Sequence, residues 1–384
     1  LGTAYMTYPG AEHTRFSHSL GVYEVIRQIL SSFERNHYQW PHELNLLAMV
    51  SGLLHDIGHA AFSHALEQVL GVRHEVWTTR IILDQHTEVH QILEQVRPGF
   101  AADVAHVIDK SYAHPLIVQL VSGQLDADRL DYLMRDSLFS GVNYGNFDLA
   151  RIIRVMMPWD NRLVVKMSGM HTVESYLLAR YFMYWQVYFH PVSRSAEVIL
   201  RAALQRAHTL VVQGYRLDLP HPALQGLLQG DISLTDYMAL DDMVIFTALN
   251  LWQSADDAVL SDLSRRFLNR RLFQYCEDMP DSPEKLDAVR RCVRHAGYDP
   301  DYYCIVDTPS TVYYDYYSGV NASQRTGDGI YLWDDARHTL TEMSHSSRTI
   351  HAMATEQKPL KRLYVPEEVR VKCPACWESQ QNFV

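Results

Sequence analysis

Three stretches of the 384-residue sequence collect imidazole and carboxylate side chains in a way that suits a bound cation. His55 and Asp56 are neighbours at the end of an apolar run, in Leu53-Leu-His-Asp-Ile-Gly-His59, where neither side chain is comfortable without a partner. His18 comes from Arg15-Phe-Ser-His-Ser-Leu-Gly21, one helix earlier, and further carboxylates come from Asp126-Ala-Asp-Arg-Leu-Asp-Tyr-Leu-Met-Arg-Asp136. In this last stretch Asp128 and Tyr132 are four residues apart, and Arg129, Tyr132 and Asp136 follow steps of three and four. One helical face can therefore present a metal ligand, a cation for phosphate and two polar contacts. A mixed nitrogen and oxygen donor set accommodates one divalent ion, Zn, Fe, Mn or, with waters completing the shell, Mg, and does not choose among them. A solitary His-Asp pair is more often a buried hydrogen-bonded pair than a metal site; several matched elements in order reverse that balance. Ten of the 20 histidines fall within the first 90 residues, which directs attention to this end of the chain.

Positioning these donors falls to a run of helices. Apolar residues recur at helical spacing over Phe16–Phe33, Leu44–Ile57, Trp77–Leu83 and Leu116–Leu138, so the donors are expected on three separated helices. Gly52 and Gly58 lower the helix propensity of the second of these, which calls for close packing or a nearby ligand. Ser63 is expected to cap a short helix that stops at Gly71. After Gly141-Val-Asn-Tyr-Gly-Asn-Phe-Asp148 another helix runs to Met156, Arg162–Met167 reads as a short strand, and an aromatic helix follows from Val173 to Tyr188, ended or kinked by Pro191. The pattern is helical again from Ile199 to about Cys292, while Tyr302–Val306 and Ile330–Trp333 read as strands. The predicted fold class is mainly α, with a helical core over 1–195 and a helical and small mixed α+β region over 196–384. No internal repeat or low-complexity tract interrupts it.

Composition narrows the function class. Apolar residues make up 47% and charged residues 21%, as in ordinary globular proteins. No apolar stretch is long enough to span a bilayer and the N-terminus lacks signal-peptide order, so no membrane partner is expected and a cytoplasmic location is the default. The chain starts at Leu1 with residues that already read as folded, so an N-terminal segment is expected before it. A net charge of −11 argues against nucleic acid as the main partner, because broad binding to phosphates needs a basic surface. All five cysteines lie in the last third, an odd number that suits reduced thiols, and Cys373-x-x-Cys376 lacks the two further ligands of a structural zinc site.

The order Arg15-Phe-Ser-His18, His55-Asp56 and Asp126-Ala-Asp-Arg-Leu-Asp-Tyr132, followed by Gly141 to Asp148, resembles the HD-domain superfamily and, within it, the deoxynucleoside triphosphate triphosphohydrolases that include the SAM and HD domain containing enzymes. The resemblance runs from Leu1 to about His190, roughly half the chain. It implies an HD-domain helical core with His18, His55, Asp56 and Asp128 as metal ligands, and hydrolysis of a deoxynucleoside triphosphate to deoxynucleoside and intact triphosphate. His59 would approach the phosphates, and His64 would act as general acid, a task that suits a side chain titrating near neutral pH. Glu67 and the His74-Glu75 pair would support them, although the connection between His64 and His74 is short compared with relatives. Arg15 and Arg129 would bind triphosphate oxygens, Tyr132 would contact phosphate, Asp136 would meet the sugar 3′-hydroxyl, and Tyr188 would pack against the sugar and exclude a 2′-hydroxyl. Members of the family are often tetramers controlled by nucleotides bound between subunits, and Arg151 and Lys166 match basic positions used for GTP or dGTP effector phosphates. For each Arg, Lys or Tyr taken alone, a surface charge or core packing is the commoner explanation.

Two other readings compete. An HD phosphohydrolase could act on a nucleoside monophosphate or a signalling nucleotide, and a nucleotide-sensing protein could carry a vestigial HD site. A complete ligand set weighs against the second. The base preference is not readable from the residues, and Tyr313–Tyr317 and Gly327-Asp-Gly329 receive no chemistry.

Overall fold

In the computed structural model, residues 2–71, 73–277, 282–309, 329–355 and 360–372 are described. The first half is a stack of short helices: α1 (Arg15–Arg35), α2 (Asn45–Leu54), α3 (Ser63–Leu70), α4 (His74–Leu83), α5 (Glu88–Val96), α6 (Phe100–Ile108), α7 (Pro115–Val121) and α8 (Ala127–Ser140). Helix α1 packs on α2 and α8, and α6 packs on α2 and α4. Their apolar faces meet in one core that includes Val22, Ile26, Ile29, Leu47, Val104, Ile117, Leu130 and Leu133. Burying such side chains contributes roughly 1.5–3 kcal/mol each, which offsets the cost of ordering a polar site at the end of these helices.

After α9 (Leu149–Val155) the chain makes β1 (Met156–Trp159) and β2 (Arg162–Lys166), then α10 (Met170–Met183), which runs into a π-helical turn at Tyr184–Tyr188. Helix α11 (Pro191–Val212) crosses position 195 without a break and leads into α12 (Pro222–Gln229), α13 (Leu234–Met238), α14 (Asp242–Trp252) and α15 (Ala258–Leu268). The remainder comprises β3 (Gln274–Cys276), α16 (Pro283–His295), α17 (Pro300–Tyr303), β4 (Ile305–Asp307), β5 (Tyr331–Asp334), β6 (Thr339–Glu342), α18 (Met343–Ser346), α19 (Arg348–Thr355), β7 (Arg362–Val365) and α20 (Glu367–Lys372).

Two small sheets tie distant parts of the chain together. One has the order β1-β2-β5-β6, with β2 and β5 parallel and the other pairs antiparallel, and it brings Ile330, Leu332, Met343 and Ile350 into the first core. The other, β3-β7-β4, is antiparallel and belongs to a second core around Leu200, Leu224, Trp252, Leu260, Phe267 and Tyr364. Among the described residues no helix is long and apolar enough to cross a membrane.

The mainly helical class is as predicted, and several local readings change. The helical pattern over Leu116–Leu138 is broken between α7 and α8, because Asp126 caps α8: its carboxylate accepts from the amides of Arg129 and Gly123, each at 2.8 Å. Ser63 is the first residue of α3 rather than the residue before it; that position is held by Phe62 at φ 46° with no side-chain cap. Pro191 opens α11 at its first position, where its missing N–H costs nothing, rather than simply ending the helix before it. Within Tyr302–Val306 only the end is extended; Tyr302 and Tyr303 belong to α17. Helices α5 and α6 and strand β1 are not among the segments named from the sequence. Tyr313–Tyr317, Gly327, Asp328, Cys373 and Cys376 lie outside the described residues.

Candidate functional site

His18, on α1, presents Nε2 to Asp128 Oδ1 at 3.1 Å, and His55, the C-terminal cap of α2, has its Nε2 3.4 Å from Asp56 Oδ1 and 3.5 Å from Asp128 Oδ1. Donor atoms of His18, His55 and Asp56 all lie within 4.8 Å of one another. Both imidazoles are anchored by the opposite nitrogen: His18 Nδ1 is 2.7 Å from Asp131 Oδ2, and His55 Nδ1 is 2.8 Å from the carbonyl of Gly52. Each Nε2 is thereby turned inward, the usual arrangement for a metal-bound histidine. His55 Nε2 is buried and makes no hydrogen bond, a cost that a cation would remove. His18, His55 and Asp56 fit a divalent ion, with the Asp128 carboxylate against both imidazoles, and the donor types leave the ion's identity open.

Glycines set the approach. A Cβ on Gly21 would lie 1.9 Å from Asp131 Oδ1, so glycine lets α1 accept the Asp131–Arg135 pair that orients His18. A Cβ on Gly52 would meet Ile26 Cδ1 at 2.3 Å, so this glycine serves packing of α2 on α1. At Gly58 a Cβ would stand 2.1 Å from the Thr78 amide nitrogen and 2.4 Å from the His74 carbonyl. Gly58 also donates to Thr78 Oγ1 at 3.0 Å and accepts from the Tyr237 hydroxyl at 2.7 Å. Gly58→Ala should therefore lower stability by about 1–3 kcal/mol or more and displace the His55–His59 turn. A thermal melt and metal content should both fall, and a variant that melts like the parent chain would refute this account of the turn.

A second group adjoins the first through Asp56. His59 Nε2 is 3.3 Å from Asp56 Oδ1, and the rings of His59 and His74 stack with centroids 3.6 Å apart. Glu67 Oε1 lies 3.0 Å from His74 Nδ1 and 3.7 Å from His59 Nδ1, so one carboxylate serves both rings. Arg15, exposed at the start of α1, places Nη1 2.8 Å from Asp56 Oδ2. His64 lies in the first turn of α3, and its side chain is outside the described residues.

Charge follows these contacts. Burial works against a charged His18, but the hydrogen-bonding carboxylates of Asp128 and Asp131 outweigh it and push the imidazole up to about 10. Burial likewise opposes a charged His55, and Asp56 and Asp128 raise it to about 9. Burial also opposes the charged carboxylates; even so, the histidines and Arg15 hold Asp56 well below its ordinary range, and His18 and His55 do the same for Asp128. His59 goes the other way: burial, with Arg15 and His74, brings it down to about 4 despite Asp56, so it is neutral at neutral pH.

A further wall of aromatic and polar side chains is built by α8, which also carries Asp128, and by the turn after α10. Tyr188 donates to Asp136 Oδ2 at 2.7 Å, and the Tyr132 and Tyr184 hydroxyls lie 3.3 Å apart. The π-helical turn carries both Tyr184 and Tyr188 to this wall, a local irregularity often found at functional sites. Arg129 does not stand free: it bonds the Asp126 carboxylate and the Gly123 carbonyl, and Asp126 keeps it charged against the opposing effect of burial. Three contributors escaped the sequence reading. Asp131 orients His18; Arg180, 4% exposed, bonds Gln124 Oε1 at 3.2 Å beneath the Tyr184 ring; and His13 Nε2 lies 2.6 Å from Asp136 Oδ1. His13 and Asp131 had a signal, since both fall inside the quoted motifs or beside them; Arg180 in an aromatic helix had none.

The proposed effector residues are held elsewhere. Arg151 donates from Nε to Thr172 Oγ1 at 3.0 Å and from Nη2 to the Ser168 carbonyl at 3.2 Å, while Lys166 Nζ lies 5.6 Å from the centre of the Tyr38 ring.

Comparison with known proteins places these residues in context. The family model of the HD domain matches residues 15–131, and that of the HD associated region matches 147–214. The Bacillus subtilis protein YwfO is 43% identical over 372 residues, covering 96% of this chain and 84% of its own. The crystal structure of a phosphohydrolase from Bacteroides thetaiotaomicron superposes with a TM-score of 0.81 at 30% identity, covering 96% of this chain and 91% of that one. The deoxynucleoside triphosphate triphosphohydrolase SAMHD1 of Gallus gallus is 24% identical over 54% of this chain and 40% of its own length.

Proposed function

The chain belongs to the HD-domain phosphohydrolase family, and from that premise we propose that it hydrolyses deoxynucleoside triphosphates to deoxynucleoside and intact triphosphate. The observation that carries this reading is the Tyr188–Asp136 hydrogen bond on the wall shared with Tyr132, because a carboxylate fixed beside two partly buried phenols suits a sugar better than a bare phosphate. The similarity to SAMHD1 proteins supports the same substrate class.

A divalent ion held by His18, His55, Asp56 and Asp128 would supply Lewis acidity and an activated water. The chain's own residues do the rest. Arg15 offers its exposed guanidinium at the mouth, where phosphate oxygens would compete with Asp56 for it. Water adds to the α-phosphorus, the bond to the sugar 5′-oxygen breaks, and that oxygen takes a proton from His64. His59 and His74, aligned by Glu67, steady the phosphates. Burial holds the Tyr132 and Tyr188 phenols protonated, so both remain donors, and Tyr188 closes the space beside the sugar where a 2′-hydroxyl would sit. GTP or dGTP acting through Arg151 and Lys166 between subunits of a cytoplasmic homotetramer completes this reading.

One observation favours the rival phosphohydrolase. Arg129 is already bound to Asp126 and Gly123, which leaves fewer cations for a long phosphate chain and suits a monophosphate or a signalling nucleotide. The test is to incubate metal-replete protein with each of the four deoxynucleoside triphosphates, with and without GTP or dGTP, and to identify products by ion-pair chromatography and oligomer mass by light scattering. Unbroken triphosphate, lost in Asp56→Ala, is expected; monophosphate or stepwise phosphate release moves the assignment to the rival. An effector that changes neither turnover nor mass removes the regulatory part.

A further inference from the structure

The Asp136 carboxylate is not free to meet a ligand as an isolated group. It is 5% exposed, and both oxygens are already engaged, Oδ1 by His13 Nε2 at 2.6 Å and Oδ2 by the Tyr188 hydroxyl at 2.7 Å. Its two ends are thus fixed from opposite sides of the chain, by a residue before α1 and by one after α10. The segment that carries His13 is itself locked in place. Thr14 accepts the Ser17 amide as the cap of α1, the His13 ring packs against Phe139 with centroids 5.1 Å apart, and Gly10 lies so close to α8 that a Cβ there would stand 2.7 Å from the Phe139 carbonyl.

The remaining nitrogen of His13 adds a second observation. The side chain is 9% exposed, and Nδ1 is buried with no hydrogen-bond partner. An imidazole that spends one nitrogen on a carboxylate and leaves the other unsatisfied is held against its own preference, and such costs persist where orientation matters to function.

We infer that His13 is a positioning residue for sugar recognition: it aligns Asp136, and with it Tyr188, so that the pair reads the sugar of the nucleotide. This rests on the proposed nucleotide hydrolysis and assigns to it a specificity determinant outside the metal centre. Each Asp136 oxygen keeps a second lone pair, so a sugar hydroxyl can donate to a carboxylate that is already oriented. Without His13 the carboxylate gains freedom, and a ligand must fix it again on binding. The loss therefore falls on binding and on sugar discrimination rather than on the bond-breaking step.

The experiment compares the metal-replete full chain with His13→Ala and His13→Gln, whose amide can still donate to Asp136. Turnover of deoxy- and ribonucleoside triphosphates gives KM, kcat and the deoxy-to-ribo preference, and calorimetry gives the affinity for the four deoxynucleosides and their ribo counterparts. For His13→Ala we expect KM to rise about tenfold with kcat within about twofold, a matching fall in the deoxy-to-ribo preference, and substantial recovery in His13→Gln. An unchanged KM and preference, or a drop in kcat and Tm that is equal for all nucleotides, overturns the inference, the latter being what mere packing produces. Absence of turnover in the parent chain, with deoxynucleoside binding still weakened by His13→Ala, removes the proposed reaction and leaves His13 in its role. A parent chain that binds neither nucleosides nor nucleotides overturns both.

Discussion

Asp128→Asn should reduce bound metal to a small fraction of the parent chain's content and lower turnover on the order of a thousandfold or more, beyond the 10- to 100-fold typical of an outer partner of a metal site. Asp128 Oδ1 faces both His18 Nε2 and His55 Nε2, so this one oxygen joins the two imidazoles that α1 and α2 supply. Asparagine keeps the shape but removes the negative charge, and its amide can present an N–H where an acceptor is needed. Asp131→Asn is the informative comparison. Asp131 touches His18 through Nδ1 and is held by Arg135, so its loss loosens a ligand without deleting one, and an effect of roughly 10- to 100-fold is expected. Metal analysis by mass spectrometry and turnover of the metal-replete variants measure both. If Asp128→Asn keeps its metal and loses less than tenfold in rate, Asp128 is not a ligand.

Metal affinity should climb steeply with pH, by roughly a hundredfold per pH unit between about pH 7 and 8.5. The sign follows from His18 and His55, raised to about 10 and about 9 in the metal-free protein. At pH 7 both carry a proton that a cation must displace, because only a neutral imidazole offers a lone pair. Two protons are then released for each ion bound. The metal-free protein should behave in the opposite way. A histidine whose folded value lies above the ordinary 6.5 adds stability that is complete below 6.5 and is lost as pH rises through 9 to 10. The gap in melting temperature between metal-loaded and metal-free protein should widen from pH 6.5 to 9. Proton release measured calorimetrically in buffers of different ionisation enthalpy counts the protons directly, and a value near zero at pH 7 would contradict the protonated His18–Asp128 pair.

Much of this protein was legible without coordinates, for reasons that differ by region. Helical periodicity identified α1, α2 and α10, which bury one face in the first core, and α4, which places Trp77 and Ile81 in the second core and Ile82 in the first, because a 3.6-residue repeat survives wherever one face is buried. The His-Asp pair and the Asp126–Asp136 stretch stood out because charged groups in apolar surroundings demand partners. The Leu116–Leu138 stretch shows where periodicity fails: Leu125 alone carries the apolar spacing through residues 122–126, and the Asp126 cap, satisfied by two amides, marks where the chain breaks and restarts.

The sequence by itself determined the helical class, the residue types available for a cation, and the acidic charge that turns the molecule away from broad phosphate binding. Tertiary structure alone decided which atoms meet. It turned His18 inward through Asp131, tied Arg129 to Asp126, stacked His59 on His74 over Glu67, and brought His13, 123 residues away, and Tyr188, 52 residues away, onto one carboxylate. The physical reason is range. Periodicity and composition reflect burial, which each segment expresses locally, whereas hydrogen bonds and ion pairs depend on distances of about 3 Å that are set only when separate helices pack.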